Sequence, residues 1–455
     1  MVQTMREPPD CTRSRPEPAS LTTNSPGEAI ALYPTTLEAQ IDQSHHDPLR
    51  VLVVGAGIAG LTAAQLLRRA GLHPIVVERA GPEADDGYML ALMPMVEAAL
   101  RDLDVWEPYR NASTALHRFR LRSRTGAVLR TDSMTSMLQR YGDYRGISRG
   151  RLMEVLTHAG APVTFGTTVR ALHESSDAVE VTTSDGERTT TIRVDAVVIS
   201  DGIGSRTRDL VLHQPCARVD TGWGGWVVWA PPGEETDVGT ELWGAGFFLG
   251  RYPVLGQDGI FLGGPAAATA AGPQQFADSV QERLRNPDPP VTQALQAVRG
   301  APERFYWPLQ DVRAPRWTTG RTVLLGDAGA GFLPTAGIGA GMAMESSWVL
   351  ARMIQTLLLE TPRVPSGAAL ARILSAYEHL QRPRVEKAQD NSRALARLMF
   401  RTSRPVAFGR EVALRIMNVE QALRPIQKLL ASPPRPDEAA REELEASTAT
   451  PGPSR

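Results

Sequence analysis

Residues 51–78 read VLVVGAGIAGLTAAQLLRRAGLHPIVVE, and the rest of the chain is organised around them. The opening run Val51, Leu52, Val53, Val54 has no polar alternation, which predicts a strand buried on both faces of a parallel sheet. Gly55, Gly57 and Gly60 follow at the spacing G-x-G-x-x-G. Leu61, Ala64 and Leu67 then fall on one helical face, and Gly71 is placed to end the helix. Ile75, Val76 and Val77 predict a second short strand that stops at Glu78. Each part has a chemical use. Gly55 allows a tight turn, Gly57 lets the backbone approach a pyrophosphate, and Gly60 lets the helix pack close to the sheet. The helix start offers free N–H groups and partial positive charge to phosphates. Glu78 stands near the expected position, about 20 residues on, to accept hydrogen bonds from ribose hydroxyls. The stretch predicts a dinucleotide site.

The chain has 455 residues, room for two or three domains. Its 49 basic and 50 acidic residues leave a formal net charge of −1, so no global field favours nucleic acid or an anionic membrane. The basic residues are nearly all arginine: Lys387 and Lys428 are the only lysines, which removes most candidates for a catalytic lysine. With only Cys11 and Cys216, neither a disulfide framework nor a Cys-based metal site is expected, in keeping with a reducing cytoplasm. Apolar runs stop well short of the roughly 20 residues of a transmembrane helix, and the N-terminus lacks the apolar core of a signal peptide. A cytoplasmic protein is expected.

Residues 1–48, rich in Pro, Ser, Thr and Glu, predict a disordered lead-in, and residues 432–455 a second loose tail. A helix is expected from Pro94 to Leu103, and residues 116–134 alternate around Thr125-Gly126 as a β-hairpin. In GISRGRLMEVLTHAG, Ser148 is placed as an N-cap, and Gly160 as the end of the helix. Arg149 and Arg151 then sit in the first turn, where the dipole disfavours cations. They read either as partners of a bound anion or as a solvated pair. Several strands are expected over residues 163–200, the last delivering Asp201-Gly202 and a helix start. Taken alone that is a capped tight turn; at the carboxyl edge of a sheet it also reaches a ligand. Residues 220–305 place Trp223, Trp226, Trp229, Trp243, Phe247, Phe248 and Tyr252 in short β-like runs, an antiparallel sheet with one aromatic face. Residues 321–353 repeat the strand–glycine–acid–helix order, with Gly326 and Asp327 at a strand end and Gly337, Gly339 and Gly341 at a helix start. Two such sites, one on each side of a sheet, suit a long ligand such as FAD better than NAD. The chain is expected to be helical from Gly367 to about Leu430, interrupted at Pro383. The basic amphipathic segment 412–430 is expected to pack on its own domain.

Three separated motifs carry a family likeness. Gly55-x-Gly57-x-x-Gly60 with Glu78-Arg79, Asp201-Gly202-x-x-Ser205-x-x-Arg208, and Gly326-Asp327-Ala328 with Pro334 and Gly337-x-Gly339 occur in that order. In this the sequence resembles the single-component FAD-dependent aromatic hydroxylases, flavoprotein monooxygenases with the p-hydroxybenzoate hydroxylase fold, over roughly residues 49–393. Arg149 in I-S-R-x-x-L and the stretch YEHLQRPRVEKAQDNSR agree more weakly. The resemblance implies an α/β fold: a Rossmann-like FAD-binding domain (GR2 type) from residues 49–115, 147–216 and 305–365, interleaved with a mainly antiparallel substrate domain from residues 116–146 and 217–304. C-terminal helices occupy residues 366–431. It implies that Gly55, Gly57, Gly60, Glu78 and Arg79 hold the ADP half of FAD, with Arg149 near the phosphates and ribityl chain and Asp327 at the ribityl or pyrophosphate region. Asp201 and Arg208 would shape the FAD site and the NAD(P)H path, and Pro334 with residues 337–341 would lie beside the isoalloxazine ring. Ala330, Gly341 and Ser346 depart from the family's usual residues.

The implied activity is reduction of FAD by NAD(P)H, reaction with O2, and hydroxylation or epoxidation of a cyclic, aromatic or polyketide-like substrate through a flavin hydroperoxide. Strand alternation puts Phe247, Leu249 and Arg251 on one face, offering Arg251 as a polar partner for substrate; a solvated strand-end charge is the alternative. No catalytic base stands out among the eight histidines, and no nucleic-acid partner is expected. Three rivals share the flavin site. A halogenase would need a G-W-x-W-x-I-P motif and a lysine, but Gly225-Trp226-Val227-Val228-Trp229 has the wrong spacing and no lysine precedes Lys387. An isoprenoid reductase would consume no O2, and a flavin-binding protein without turnover would show no activity.

Overall fold

The Val51–Val54 run forms a strand buried along its whole length, inside a five-stranded sheet. A computed structural model describes residues 30–82, 87–301, 305–361, 364–416 and 419–449. The sheet order is Thr318–Thr319, Thr322–Leu324, Ala196–Ile199, Val51–Val54, Ile75–Val77, parallel except for the first pair. Apolar runs without alternation suit a sheet enclosed by other elements; helix Ile58–Arg69 packs on it, and Gly339–Glu360 packs on that helix. Ser347 Oγ bonds Ala59 O at 2.9 Å across that helix pair.

A seven-stranded sheet makes the second layer. Its order is Phe305–Arg313, Ala217–Ala230, Gln257–Pro265, Phe248–Val254, Val238–Trp243, Arg118–Arg122, Val128–Ser133. All neighbours are antiparallel except Val238–Trp243 with Arg118–Arg122. The hairpin expected at Thr125-Gly126 is present and supplies the last two strands. Helices Pro273–Gln281 and Pro289–Gly300 cover one face, burying Trp226, Phe247, Leu249 and Phe276 between them. The other face looks toward the parallel sheet. The strand Phe305–Arg313 belongs to this antiparallel sheet, whereas the sequence reading placed residue 305 onward with the FAD-binding segments.

Two terminal expectations are corrected. Residues 30–48 are folded: Ile30–Pro34 pairs in parallel with Ala159–Val163, and Leu37–Gln43 is a helix capped by Thr36. Gln40 supplies the reason. Its buried amide accepts from Val76 N at 2.8 Å and donates to Val76 O at 2.9 Å and Thr164 Oγ1 at 2.7 Å. The Gln40 side chain thus completes the edge of the parallel sheet beside Thr164, whose backbone also bonds Val76 O and Glu78 N. Residues 1–29 lie outside the described residues. At the other end Pro436–Ala449 is a helix that packs on Gly339–Glu360 and Gly367–Met399, with Ala440 buried and Asp437 paired to Arg352. Its apolar contact is made by Pro436, Ala439, Ala440 and Leu444, too small and sparse a set to read as a stripe.

Pro383 does not interrupt its helix, which runs unbroken from Gly367 to Met399. An interior proline costs about 3 kcal/mol. Here bracing offsets it: Arg382 pairs with Glu378 and Glu386, and Arg384 with the buried Glu345. Ser148 caps the Arg149–Leu156 helix as expected, but that helix ends before Gly160, which lies in the next strand.

Candidate active site

At the carboxyl end of Val51–Val54 the chain turns through Gly55, whose φ of +101° is open to glycine alone at low cost. A Cβ at residue 60 would stand 1.9 Å from Gly55 O, so the helix can approach this closely only with glycine there. Gly57 occupies the N-cap with no side chain capping the helix and nothing within 4 Å of where its Cβ would be. Uncapped N–H groups beside open space fit a phosphate. Glu78 braces the turn: its carboxylate accepts from Ala56 N and Ala80 N, each at 2.8 Å. Those bonds leave acceptor positions free for ribose hydroxyls. Arg79 beside it is exposed.

The second turn lies next to the first. Gly326 has φ +60°, and a Cβ there would meet Ala59 of the fingerprint helix at 2.7 Å. The two turns are therefore not on opposite sides of a sheet. They share one carboxyl edge, separated by the strand Ala196–Ile199. Asp327 emerges into a cavity of about 490 Å³ that Gly57, Arg149, Gly202, Pro334, Gly337 and Gly339 also line. Asp327 is ringed by protein at a distance, yet its own surface is open to the cavity, the space a ligand would fill. Enclosure pushes its carboxyl up from 3.8 to about 6. Arg149, at the start of its helix, has no carboxylate partner among the described residues, whereas Arg151 pairs with exposed Glu154. Arg149 and Asp327 both act on the Tyr88 hydroxyl, which burial raises most.

Asp201 and Arg208 do other work. Asp201 accepts from Ser205 Oγ and from Thr207 N at 3.3 Å, closing the turn before the Arg206–Val211 helix. Arg208 is completely buried, and its Nη1 donates to Ala328 O at 3.0 Å. It ties the D-G turn to the segment carrying Asp327. Gly341 packs on Met95, and Ser346 accepts from Gln381 at 3.1 Å. The stretch YEHLQRPRVEKAQDNSR forms a strut along the cavity: Gln389 donates to Val312 O and Gly331 O, and Arg393 grips buried Asp311 through two bonds of 2.7 and 2.9 Å.

The far half of the cavity is apolar and aromatic. Leu121, Val227, Trp243, Phe248, Tyr252, Phe261 and Trp307 line it from the seven-stranded sheet. Leu414, Leu423 and Ile426 close it from helices Arg404–Ile416 and Val419–Ala431, so the amphipathic segment packs on its own protein. Phe247, Leu249 and Arg251 are corrected: they lie on the opposite sheet face. Phe247 and Leu249 are core beneath the two helices, and Arg251 pairs with Asp258 at 2.7 and 3.1 Å. The alternation was right, but both faces of this sheet are covered, so the pattern does not say which one meets the cavity. Residues 248 and 252 do.

One group sequence reasoning missed is Glu241. It is 9% exposed, lines the cavity, and accepts from Tyr252 OH at 2.6 Å and Trp243 Nε1 at 2.8 Å. A lone acid inside the buried strand VGTELW was the available signal. Neither lysine lines the cavity, and both are exposed.

Residues 48–392 match the family of FAD binding domains, and the chain belongs to that family. Within it, the proteins this chain is similar to are FAD-dependent monooxygenases, and it is a flavoprotein of that kind. A 3-amino-4-hydroxybenzoate 2-monooxygenase of Streptomyces platensis is 31% identical over 77% of this chain and 88% of its own. An aurachin C monooxygenase/isomerase of Stigmatella aurantiaca is 30% identical over 75% and 86%. Among solved structures, Klebsiella pneumoniae HpxO complexed with FAD and uric acid superposes with a TM-score of 0.73, at 24% identity, over 86% of this chain and 97% of that one. This likeness shows the fold, an α/β architecture shared with a structure that holds FAD.

Proposed function

We propose that the protein uses NAD(P)H and O2 to place one oxygen atom on a cyclic, aromatic or polyketide-like small molecule. The observation that carries this reading is a single cavity with two unlike halves. One half offers an uncapped helix start, Arg149 and Asp327; the other is an aromatic-walled space closed by helices. Similar proteins named for ring compounds support the substrate class.

Bound FAD would supply the electron transfer and oxygen chemistry. In this reading Gly55, Gly57 and Gly60 let the backbone come close to its pyrophosphate, Glu78 accepts from the adenosine ribose, and Arg79 lies at that exposed end. Arg149 neutralises phosphate charge, and Asp327 accepts from ribityl hydroxyls. Asp201 closes the D-G turn, and Arg208 ties that turn to the segment from which Asp327 projects. Pro334, Gly337, Gly339 and Gly341 shape the backbone beside the ring, where the N-terminus of the Gly339–Glu360 helix favours negative charge. Leu414, Leu423 and Ile426 keep water from the reacting centre. Dependence on NAD(P)H suits a cytoplasmic setting.

The test is turnover of candidate ring compounds under ¹⁸O2 with NADH or NADPH. One labelled oxygen atom per product, with reductant oxidation stimulated by substrate, is the expected result. Substrate reduced without O2 consumption would replace the reading with that of a reductase.

A further inference from the structure

Three charged side chains among the described residues line the cavity: Arg149, Asp327 and Glu241. Arg149 and Asp327 are each close enough to Tyr88 to act on its hydroxyl. Neither is among the groups that act on Glu241. Burial raises its carboxyl, opposed by hydrogen bonds from Tyr252 on the neighbouring strand and Trp243 on its own, while Tyr144, on the loop before Arg145–Ser148, feels its charge. No cation is paired with it among the described residues. A buried carboxylate without a counter-charge is costly to keep, so its retention asks for a use.

The surroundings are built for it. Glu241 lies directly across the strand pair from Gly250, and the Tyr252 ring lies over that glycine: a Cβ at residue 250 would stand 2.6 Å from the ring. Gly250 thus lets Tyr252 reach Glu241. Each carboxylate oxygen receives one hydrogen bond, and a carboxylate has about four acceptor positions in all. The remaining capacity faces an apolar space walled by Leu121, Phe248 and Phe261.

Resting on the monooxygenase reading above, we infer that Glu241 is the substrate-recognition group of the far half of the cavity. Its ligand is an aromatic ring presenting an N–H or phenolic O–H donor and carrying no anionic group. A donor from the ring completes the hydrogen bonding of the carboxylate in a low-dielectric setting, where such a bond is strong. An anionic substituent would meet Glu241 with no cation lining that end among the described residues; Arg410, over the Trp243 ring, is held behind the wall by the carbonyls of Trp243 and Gly244. The cavity therefore selects against ring carboxylates such as the benzoate for which the Streptomyces relative is named.

Calorimetric titration of the FAD-loaded protein with three matched probes tests this. The probes are 2-naphthol, 2-methoxynaphthalene, which lacks the donor, and 6-hydroxy-2-naphthoate, which adds an anion. The expected result is that 2-naphthol binds about tenfold or more tightly than either of the others, the scale of a charge-assisted hydrogen bond. In Glu241→Gln, 2-naphthol weakens while 6-hydroxy-2-naphthoate tightens, movements of opposite sign that general damage to the site would not give. Equal binding of 2-naphthol and the naphthoate by the unaltered protein would overturn the inference, as would parallel changes in the variant. The ratio in the unaltered protein decides the matter even if the variant does not fold. Flavin content and ¹⁸O incorporation are read separately, so failure of the oxygenase reading is distinguishable from failure of the probe ranking.

Discussion

Asp327 shows how one side chain links the sequence motif to a measurable pH dependence. Enclosure raises its carboxyl from 3.8 to about 6, so the ligand-free fold favours the protonated form across a window in which the unfolded chain is ionised. The sign follows: its contribution to stability is greatest below about pH 4 and is lost as pH rises toward 6. A ribityl hydroxyl donates more strongly to the ionised acceptor than to the neutral acid, so FAD affinity moves the other way. We expect FAD binding to strengthen between about pH 5 and 7 and then level off, and Asp327→Asn to flatten that rise and weaken binding about tenfold. Flavin fluorescence titrations across the range check both. Gln40 gives a second prediction at this scale. It meets Val76 twice and Thr164 once from a helix the composition did not announce. Gln40→Ala should cost about 1–3 kcal/mol, because buried edge groups lose their partners, and chemical denaturation would read the loss. Sequence alone could place Asp327 at a strand end because glycine, acid and helix are contiguous there. It could not assign Arg208, whose partner Ala328 O is 120 residues away, nor Glu241, whose meaning depends on Tyr252 and Trp243 being folded onto it.

Elements were legible where one local pattern decides them. The fingerprint strand, its helix and the hairpin at Thr125-Gly126 fall where the apolar runs and turn residues put them. The aromatic strands were legible as strands but not as faces, because helices Pro273–Gln281 and Pro289–Gly300 bury one face and the cavity occupies the other. A period of two cannot distinguish two buried faces, which is why Phe247, Leu249 and Arg251 were placed on the wrong side. The terminal helix Pro436–Ala449 reads as a tail because only Pro436, two alanines and Leu444 make its apolar contacts. The covering helices lead to a prediction of their own. Leu423 and Ile426 roof the cavity, and replacing both by serine should admit water while leaving the FAD turns untouched. We expect flavin content to be retained and a larger share of reductant electrons to appear as hydrogen peroxide, measured by a peroxidase-coupled assay. Unchanged coupling would mean that these helices do not seal the reacting space.

At the scale of the molecule, the two sheets meet at the cavity, and a long cofactor would touch both the parallel layer and the approach to the antiparallel one. No helix among the described residues is long and apolar enough to cross a membrane. A ligand that binds only the folded chain stabilises it by mass action, about 2.7 kcal/mol at a hundredfold excess over its dissociation constant. FAD should therefore raise the thermal midpoint in a concentration-dependent way, and NAD should not. The most direct test of the account is the electron density of crystals of the FAD-loaded protein. The account predicts an extended cofactor, its adenosine ribose within hydrogen-bond distance of Glu78, its ribityl chain at Asp327, and its ring beside Pro334 and Gly337 facing the space that Glu241 lines. Density placing the ring outside that cavity, or Asp327 beyond hydrogen-bond reach of the cofactor, would contradict it.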